Sequence, residues 1–392
     1  MSKISIYYFF NCLVVFSLQL FGAISYIFLN QKGYSFFEIN LYLSIFWFIS
    51  TVMEIPSGIF VDVIGTRKTL ILSYCTRAIG LMAFLFSYNI EILIVSGILT
   101  GVAEALSSGT LDTWITNEIK CKNNSISVKN IFSRIRTISP IVGIISGFIG
   151  AQYFAKINIK IPFFISMLSF FIIAILAIFL IDEPRKLKRI RINEFREIYV
   201  DKIRQIFKVL ANTKGFWFYI SLFIIPSILD VGPSNQWQMI VDNNKGNILT
   251  GYFFVFIGIT TILSNLFISK FIKHNSNTKI IMYFFILIDS IILSLISLNF
   301  LNYYFFLGHV FIFGICSTLI ITYIHDKLIV LNELRASIIS IYYTIVSFVT
   351  SFMLLINGKL SDIYGIKISW LIFNIFSVIL LLILLLNRKK EV

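Results

Sequence analysis

Seven ionisable residues, Glu54, Arg77, Glu104, Asp112, Asp230, Asp289 and His309, interrupt stretches that are otherwise apolar. Hydrocarbon satisfies no charge, so each must meet a partner, a water-lined cavity or a proton. Their chemistry is therefore proton binding and release, ion pairing, and contact with a cation. Glu54, Gly58 and Asp62 recur at intervals of four and share one helix face, with Glu54 about 12 Å above Asp62. A short basic turn, Gly65 to Lys68, then reverses the chain. Glu54 lies eight residues before Asp62 and Arg77 nine after Lys68, so in an antiparallel hairpin the two sit at similar depth and are expected to form a structural ion pair. Glu104, Ser108 and Asp112 share a second face. No basic residue lies within a turn of Glu104, and an unpaired carboxylate at low dielectric binds and releases its proton nearer neutrality. Glu104 leads the proton-coupling candidates, ahead of Glu54 and Asp230. Asp289 and His309 rank lower, since a lone histidine in an apolar helix is usually hydrogen-bonded in place.

These residues require a membrane to position them. Of 392 residues, 58% are hydrophobic, 16% aromatic and 13% charged, with a mean hydropathy of +0.89, which excludes a water-soluble globular chain of this size. Twelve apolar runs are long enough to span a bilayer: about 5 to 29, 35 to 62, 69 to 88, 91 to 116, 131 to 154, 160 to 181, 214 to 240, 248 to 271, 278 to 298, 302 to 325, 335 to 357 and 367 to 387. The first is followed by Asn30-Gln31-Lys32 and by no small-residue cleavage site, so it reads as a retained helix. The net charge of +14 is distributed unevenly: with the N-terminus inside, 26 Lys and Arg fall on cytoplasmic segments and 6 outside. That bias predicts both termini in the cytoplasm and makes the basic balance a topology signal, with no nucleic-acid partner. Cys12, Cys75, Cys121 and Cys316 are scattered, giving neither a metal nor a disulfide reading.

The sequence divides into an N-terminal six-helix bundle (1–181), a basic cytoplasmic linker (182–213) and a C-terminal six-helix bundle (214–392). In the linker, Ile190, Phe195, Ile198, Ile203, Ile206 and Val209 interleave with charges at helical spacing, as in an amphipathic helix on anionic lipid. Small residues recur every four positions at Gly97, Gly101, Ala105 and Gly109, and at Ser139, Gly143, Gly147 and Ala151. Such stripes serve close static packing or a rocking surface. The seventh run contains Pro226, Asp230 and Gly232-Pro233, then Asn235, Gln236, Trp237 and Gln238, a helix broken where a binding site near the membrane midplane would be built.

Gly58, Asp62, Gly65, Arg67 and Lys68, closing with Leu70, reproduce the signature between helices two and three of the major facilitator superfamily, which the chain resembles over essentially its whole length. Glu54-Ile55-Pro56-Ser57, Ser108-Gly109-Thr110-Leu111 and Arg335-Ala336-Ser337 resemble a bacterial branch rich in drug exporters. Three departures stand out. Val63 replaces the arginine that usually follows the signature aspartate, Gly97 falls near the helix-four arginine of proton-coupled members, and the antiporter pattern survives only as Ser139-Pro140, Gly143 and Ile144. Gly358, Asp362 and Gly365 copy the signature's spacing, but they fall between helices eleven and twelve on the outside and are read as a helix-ending turn.

The resemblance implies a secondary transporter working by alternating access, without cofactors, in a bacterial inner membrane. The expected activity is proton-coupled export of a small amphipathic or cationic compound by a monomer, with import of a nutrient or lipid precursor as the alternative. The gating set is Gly58, Asp62, Gly65, Arg67, Lys68 and Asp112, with Asp112 expected to meet Arg67 or Lys68 as an inner latch. Helices one, four, seven and ten line the cavity in this family, which nominates Asn11, Gln19, Tyr26, Glu104, Asp230, Gln236 and Trp237. No HExxH, GxSxG or clustered Cys/His set supports an enzyme, and no Walker motif supports ATP hydrolysis.

Overall fold

The computed structural model describes residues 2–121, 128–182, 204, 216–242, 250–271, 278–324 and 335–387. Among these every regular element is helical, and ten helices are long and apolar enough to cross a membrane. Apart from Asp182 and Arg204, the linker at 182–213 lies outside the described residues. The chain forms two compact units.

The first unit comprises Met1–Gly33, Ile45–Tyr199 and Asp242–Val255. It contains α1 (Lys3–Gln19), α2 (Ser25–Gln31), most of α3 (Phe36–Ile64), α4 (Thr66–Leu85), α5 (Ile90–Ser107), α6 (Thr110–Cys121), α7 (Val128–Ile149), α8 (Ala155–Ile157) and α9 (Ile161–Leu180). The continuous first span expected over 5 to 29 is divided between α1 and α2. Close backbone approach marks the division: a Cβ on Gly150, in the π-helical turn Gly150–Phe154, would lie 1.7 Å from the Leu20 carbonyl oxygen. The fourth run is likewise divided, between α5 and α6, where Gly109 takes a positive φ of 65°.

Helix α4 packs against α5 and α9. Gly80 lets Thr100 approach, the Ser73 hydroxyl donates to the Ala103 carbonyl at 2.8 Å, and the Ser96 hydroxyl donates to the Gly80 carbonyl at 2.8 Å. Tyr74, Ala78, Phe170 and Ile173 fill the core between α4 and α9. Apolar residues on the other face of α9, such as Ile172, Ile175 and Phe179, are exposed, as lipid-facing positions require. Three glycines of the small-residue stripes sit at close contacts inside this unit: a Cβ on Gly101 would come within 2.7 Å of the Phe46 carbonyl, one on Gly143 would meet Gln19 and Val15, and one on Gly147 would strike the Phe254 ring. Beyond the end of α4, Lys32 Nζ donates to the carbonyls of Phe84, Leu85 and Ser87 at 2.7–3.3 Å, closing a helix terminus. The basic turn expected over Gly65 to Lys68 is shorter than that, because Thr66 already opens α4 and only Gly65, with φ 95°, leaves helical geometry.

The second unit comprises Tyr34–Ser44, Val200–Val241 and Phe256–Val392. It holds the start of α3, then α10 (Phe216–Asp230), nearly all of α11 (Pro233–Asp242), most of α12 (Thr250–Phe271), α13 (Thr278–Ser297), α14 (Phe306–Tyr323), α15 (Arg335–Tyr364) and α16 (Ile366–Asn387). The expected break in the seventh run is present: α10 ends at Asp230 and Pro233 opens α11. Gly232 is needed at that junction, since a Cβ there would lie 2.7 Å from the Trp370 indole and 2.8 Å from Asn357 Nδ2. Around it, the Trp370 indole N–H donates to Gln236 Oε1 at 2.8 Å and Gln236 Nε2 donates to the Ser361 hydroxyl at 2.9 Å.

The copied spacing at 358–365 is more than a helix-ending turn. Helix α15 runs on through Tyr364, and only Gly365, with φ 85°, lies outside the helices. The Asp362 carboxylate accepts from the backbone N–H groups of Phe36 at 2.8 Å and Phe37 at 3.0 Å, capping α3. A Cβ on Gly358 would come within 2.8 Å of Phe37 Cα, so glycine here permits the start of α3 to dock. Asn40 Nδ2 adds hydrogen bonds to Asn357 Oδ1 at 2.9 Å and to the Leu354 carbonyl at 3.1 Å.

Candidate functional site

Three of the seven intramembrane ionisable residues meet in the second unit. His309, on α14, has a carboxylate at each ring nitrogen: Asp289 Oδ1 of α13 lies 2.8 Å from Nδ1, and Asp230 Oδ1, at the end of α10, lies 3.1 Å from Nε2. The side chains are 1% exposed for His309, 2% for Asp289 and 19% for Asp230, so Asp230 is the one through which water or a ligand reaches the group. Two carboxylates facing one imidazole need a proton in each contact. An imidazolium donates to both carboxylates, whereas a neutral imidazole donates from one nitrogen and accepts from a protonated acid at the other. Either arrangement stores protons away from bulk water.

Asp230 also opens onto a cavity of about 420 Å³ whose other walls are Ser234 and Trp237 of α11, Ile257, Thr261 and Asn265 of α12, and Phe306, Val310, Phe313, Gly314, Ser317 and Thr318 of α14 and its entrance. Gly314 brings α12 and α14 together, since a Cβ there would lie 2.2 Å from Ser264 Oγ. Of the cavity residues expected from sequence, Asp230 and Trp237 line this space. Gln236 does not: it is fully buried on the opposite side of α11, bonded to Ser361 and Trp370. Asn11 donates to the Tyr7 carbonyl at 3.0 Å, Gln19 packs on Gly143, and Tyr26 is buried, all within the first unit. Thr261, Asn265, Ser317 and Thr318 were not anticipated. Their signal was legible as Thr261 and Asn265 four residues apart on one face of an apolar helix.

The other charged residues are arranged differently from the sequence expectation. Arg77 is ion-paired with Glu104, not with Glu54, and its guanidinium lies 5.8 Å from the Phe46 ring centroid. The depth argument along one hairpin overlooked α5, which packs on α4 and brings Glu104 to the same level. Glu104 therefore has a basic partner, and the reasoning from an unpaired carboxylate does not apply to it. Among the described residues Glu54 joins no ion pair. Asp112 Oδ1 accepts from the Tyr7 hydroxyl at 2.7 Å, so a tyrosine, not Arg67 or Lys68, holds it. The side chain of Asp62 lies outside the described residues, while Gly58 falls in the last two turns of α3 and Gly65 follows its end. Among the described residues no three His, Cys, Asp or Glu side chains are grouped to hold a metal ion.

A family model described as Major Facilitator Superfamily matches residues 4–346. This chain belongs to that superfamily and is a multi-pass membrane transport protein, not an enzyme. A curated relative, the uncharacterized MFS-type transporter YxaM of Bacillus subtilis (strain 168), is 23% identical over 261 residues, covering 66% of this chain. The matched region spans 64% of that relative's length. Among solved structures, the nucleoside transporter NupG superposes with a TM-score of 0.79 at 15% identity over 99% of this chain and 100% of its own. A bacterial homologue of the human lysosomal transporter Spinster, in an inward-facing and occupied conformation, gives 0.71 at 13% identity over 99% and 96%. At these identities the two structures share the fold with this chain.

Proposed function

We propose that this chain is a proton-coupled secondary transporter that works by alternating access and exports a small amphipathic or cationic compound in exchange for protons. One observation carries the reading: Asp230 is at once a wall of the cavity and the partner of His309 Nε2. A cationic substrate reaching Asp230 competes with the imidazolium for the same carboxylate. As the substrate cation pairs with Asp230, His309 passes its Nε2 proton to water and becomes neutral, so one positive charge enters the site and one leaves. Exchange of this kind uses an inward proton gradient to drive the substrate out. The coupling site is thus Asp230, His309 and Asp289, and Glu104 takes a structural role.

Twelve spans in two sets of six complete the proposed architecture, with the divided α1–α2 and the broken α10–α11 joining the ten long helices. The split of 26 to 6 basic residues supports cytoplasmic termini and a basic linker at 182–213 on anionic inner-leaflet lipid. We place the protein as a monomer in a bacterial inner membrane. The test is the pH change inside reconstituted vesicles on adding a panel of lipophilic amines, with Asp230→Asn and His309→Gln beside the wild type. Substrate-evoked proton movement that disappears in Asp230→Asn is expected. Labelled substrate equilibrating with no proton movement in the wild type would refute antiport.

A further inference from the structure

The cavity beside Asp230 has a second fixed polar group. The Thr318 hydroxyl donates to Asn265 Oδ1 at 2.9 Å, and both side chains line the cavity. With Oδ1 accepting from Thr318, the Asn265 side chain has its Nδ2 group, two donors and no acceptor, left to offer a ligand in the cavity it lines, and among the described residues nothing accepts from it. Asp230 is the complement: its Oδ1 faces His309, and a carboxylate presents acceptors only. The aromatic side chains of Trp237, Phe306 and Phe313 also line the cavity. The volume of about 420 Å³ lies within the range of small-molecule pockets, about 300–1,000 Å³.

We infer that this cavity selects a small amine built on a planar apolar body, with an N–H donor for Asp230 at one end and a carbonyl or ether acceptor for Asn265 at the other. The inference rests on the proton-exchange reading and narrows it. Charge and grease alone are insufficient. A quaternary ammonium offers Asp230 no hydrogen bond, and an amine without an acceptor leaves the Asn265 amide unmatched by the ligand. A polar group left unmatched in this way weakens binding about ten- to hundredfold. Thr318 acts on this preference through Asn265, because its hydroxyl occupies the amide oxygen that would otherwise compete for a donor on the ligand.

Three probes of matched size test this by equilibrium binding to the full-length detergent-solubilised protein: a γ-dimethylamino phenyl ketone, its N-methyl quaternary salt, and dimethyl(phenylbutyl)amine, which lacks the carbonyl. The ketone is expected to bind at least tenfold more tightly than either analogue. Asn265→Leu should erase the advantage over the carbonyl-free amine while retaining that over the quaternary salt. Thr318→Val, a milder change that keeps the packing, should reduce the same carbonyl advantage. Equal binding of all three probes, no binding of any, or a uniform loss with either variant would overturn the assignment. Proton release on ketone binding, read in weak buffer, separates the two readings. Discrimination among probes without proton release would leave the ligand class standing and remove the exchange mechanism.

Discussion

Arg77 of α4 pairs with Glu104 of α5 across a close helix packing in the first unit, where Gly80 and Thr100 bring the two backbones close. Arg77 is buried and the Glu104 side chain is 38% exposed. Removing the carboxylate strands a buried guanidinium. A fully buried pair broken on one side costs about 3–5 kcal/mol, and partial exposure of Glu104 lowers the expectation to roughly 1–2 kcal/mol. Glu104→Gln should therefore lower the thermal midpoint in detergent and leave the pH dependence of transport unchanged. Arg77→Gln combined with Glu104→Gln should be less damaging than the sum of the two single changes. A pH profile flattened by Glu104→Gln at unchanged stability would return this residue to the proton pathway.

How far the sequence reveals the site depends on whether a feature is local. The break at Gly232-Pro233, the helix ends at Gly65 and Gly365, and the placement of Asp230 and Trp237 beside a broken helix follow from residues a few positions apart, which backbone geometry ties together. Asp230, Asp289 and His309 lie on α10, α13 and α14, and no spacing shows that three separate helices turn these faces to one point. The same limit misassigned Arg77, because two carboxylates on different neighbouring helices lie at similar depth and only packing decides between them. Asp362 shows the same limit beside a reading that holds, since Gly365 does end α15. Its signature-like spacing was set aside on topological grounds, yet it caps a helix more than 300 residues earlier in the chain.

Gly232 supplies a test of the broken helix that is independent of any substrate. A methyl group there would press on the Trp370 indole and on Asn357, both committed to the hydrogen bonds of Gln236 and Ser369. Neither side chain can retreat without breaking one of these bonds. Gly232→Ala should cost about 1–3 kcal/mol, the usual penalty for overpacking, and be read as a lower unfolding midpoint. An unchanged midpoint would mean that α11 moves away from α16 at little cost.

Asp362 caps α3 through two backbone N–H groups, and Gly358 lets the helix start seat against α15. Loss of a cap of this kind costs about 1 kcal/mol. In a background lacking the 4 native cysteines, a cysteine at Phe37 should react with maleimide faster when Asp362→Ala is added. Asp362→Asn, which retains an acceptor oxygen, should lie between. Identical labelling rates in all three proteins would show that the cap does not hold the start of α3.

Asp289 touches only His309 among the coupling residues and lies away from the cavity lining, so its role is to position and charge the imidazole. Asp289→Asn preserves shape but offers Nδ1 an amide in place of a carboxylate. If the amide N–H₂ faces Nδ1, the ring must accept there and can no longer become an imidazolium. If the amide oxygen faces it, Nδ1–H is retained but the negative charge that favours protonation is gone. Either way His309 stays neutral to lower pH, and the proton released when a cation takes Asp230 is missing over part of the working range. Asp289→Asn should therefore bind the ketone probe nearly as well as wild type, shift the pH dependence of its transport toward acid, and reduce proton movement per substrate. Asp289→Glu, which restores the charge, should recover part of that movement. Asp230→Asn should lose probe binding and proton movement together, because it removes the contact on both sides of the exchange. An unshifted pH profile for Asp289→Asn, in protein of wild-type thermal stability, would show that the carboxylate on Nδ1 is a packing residue and that the proton is carried elsewhere.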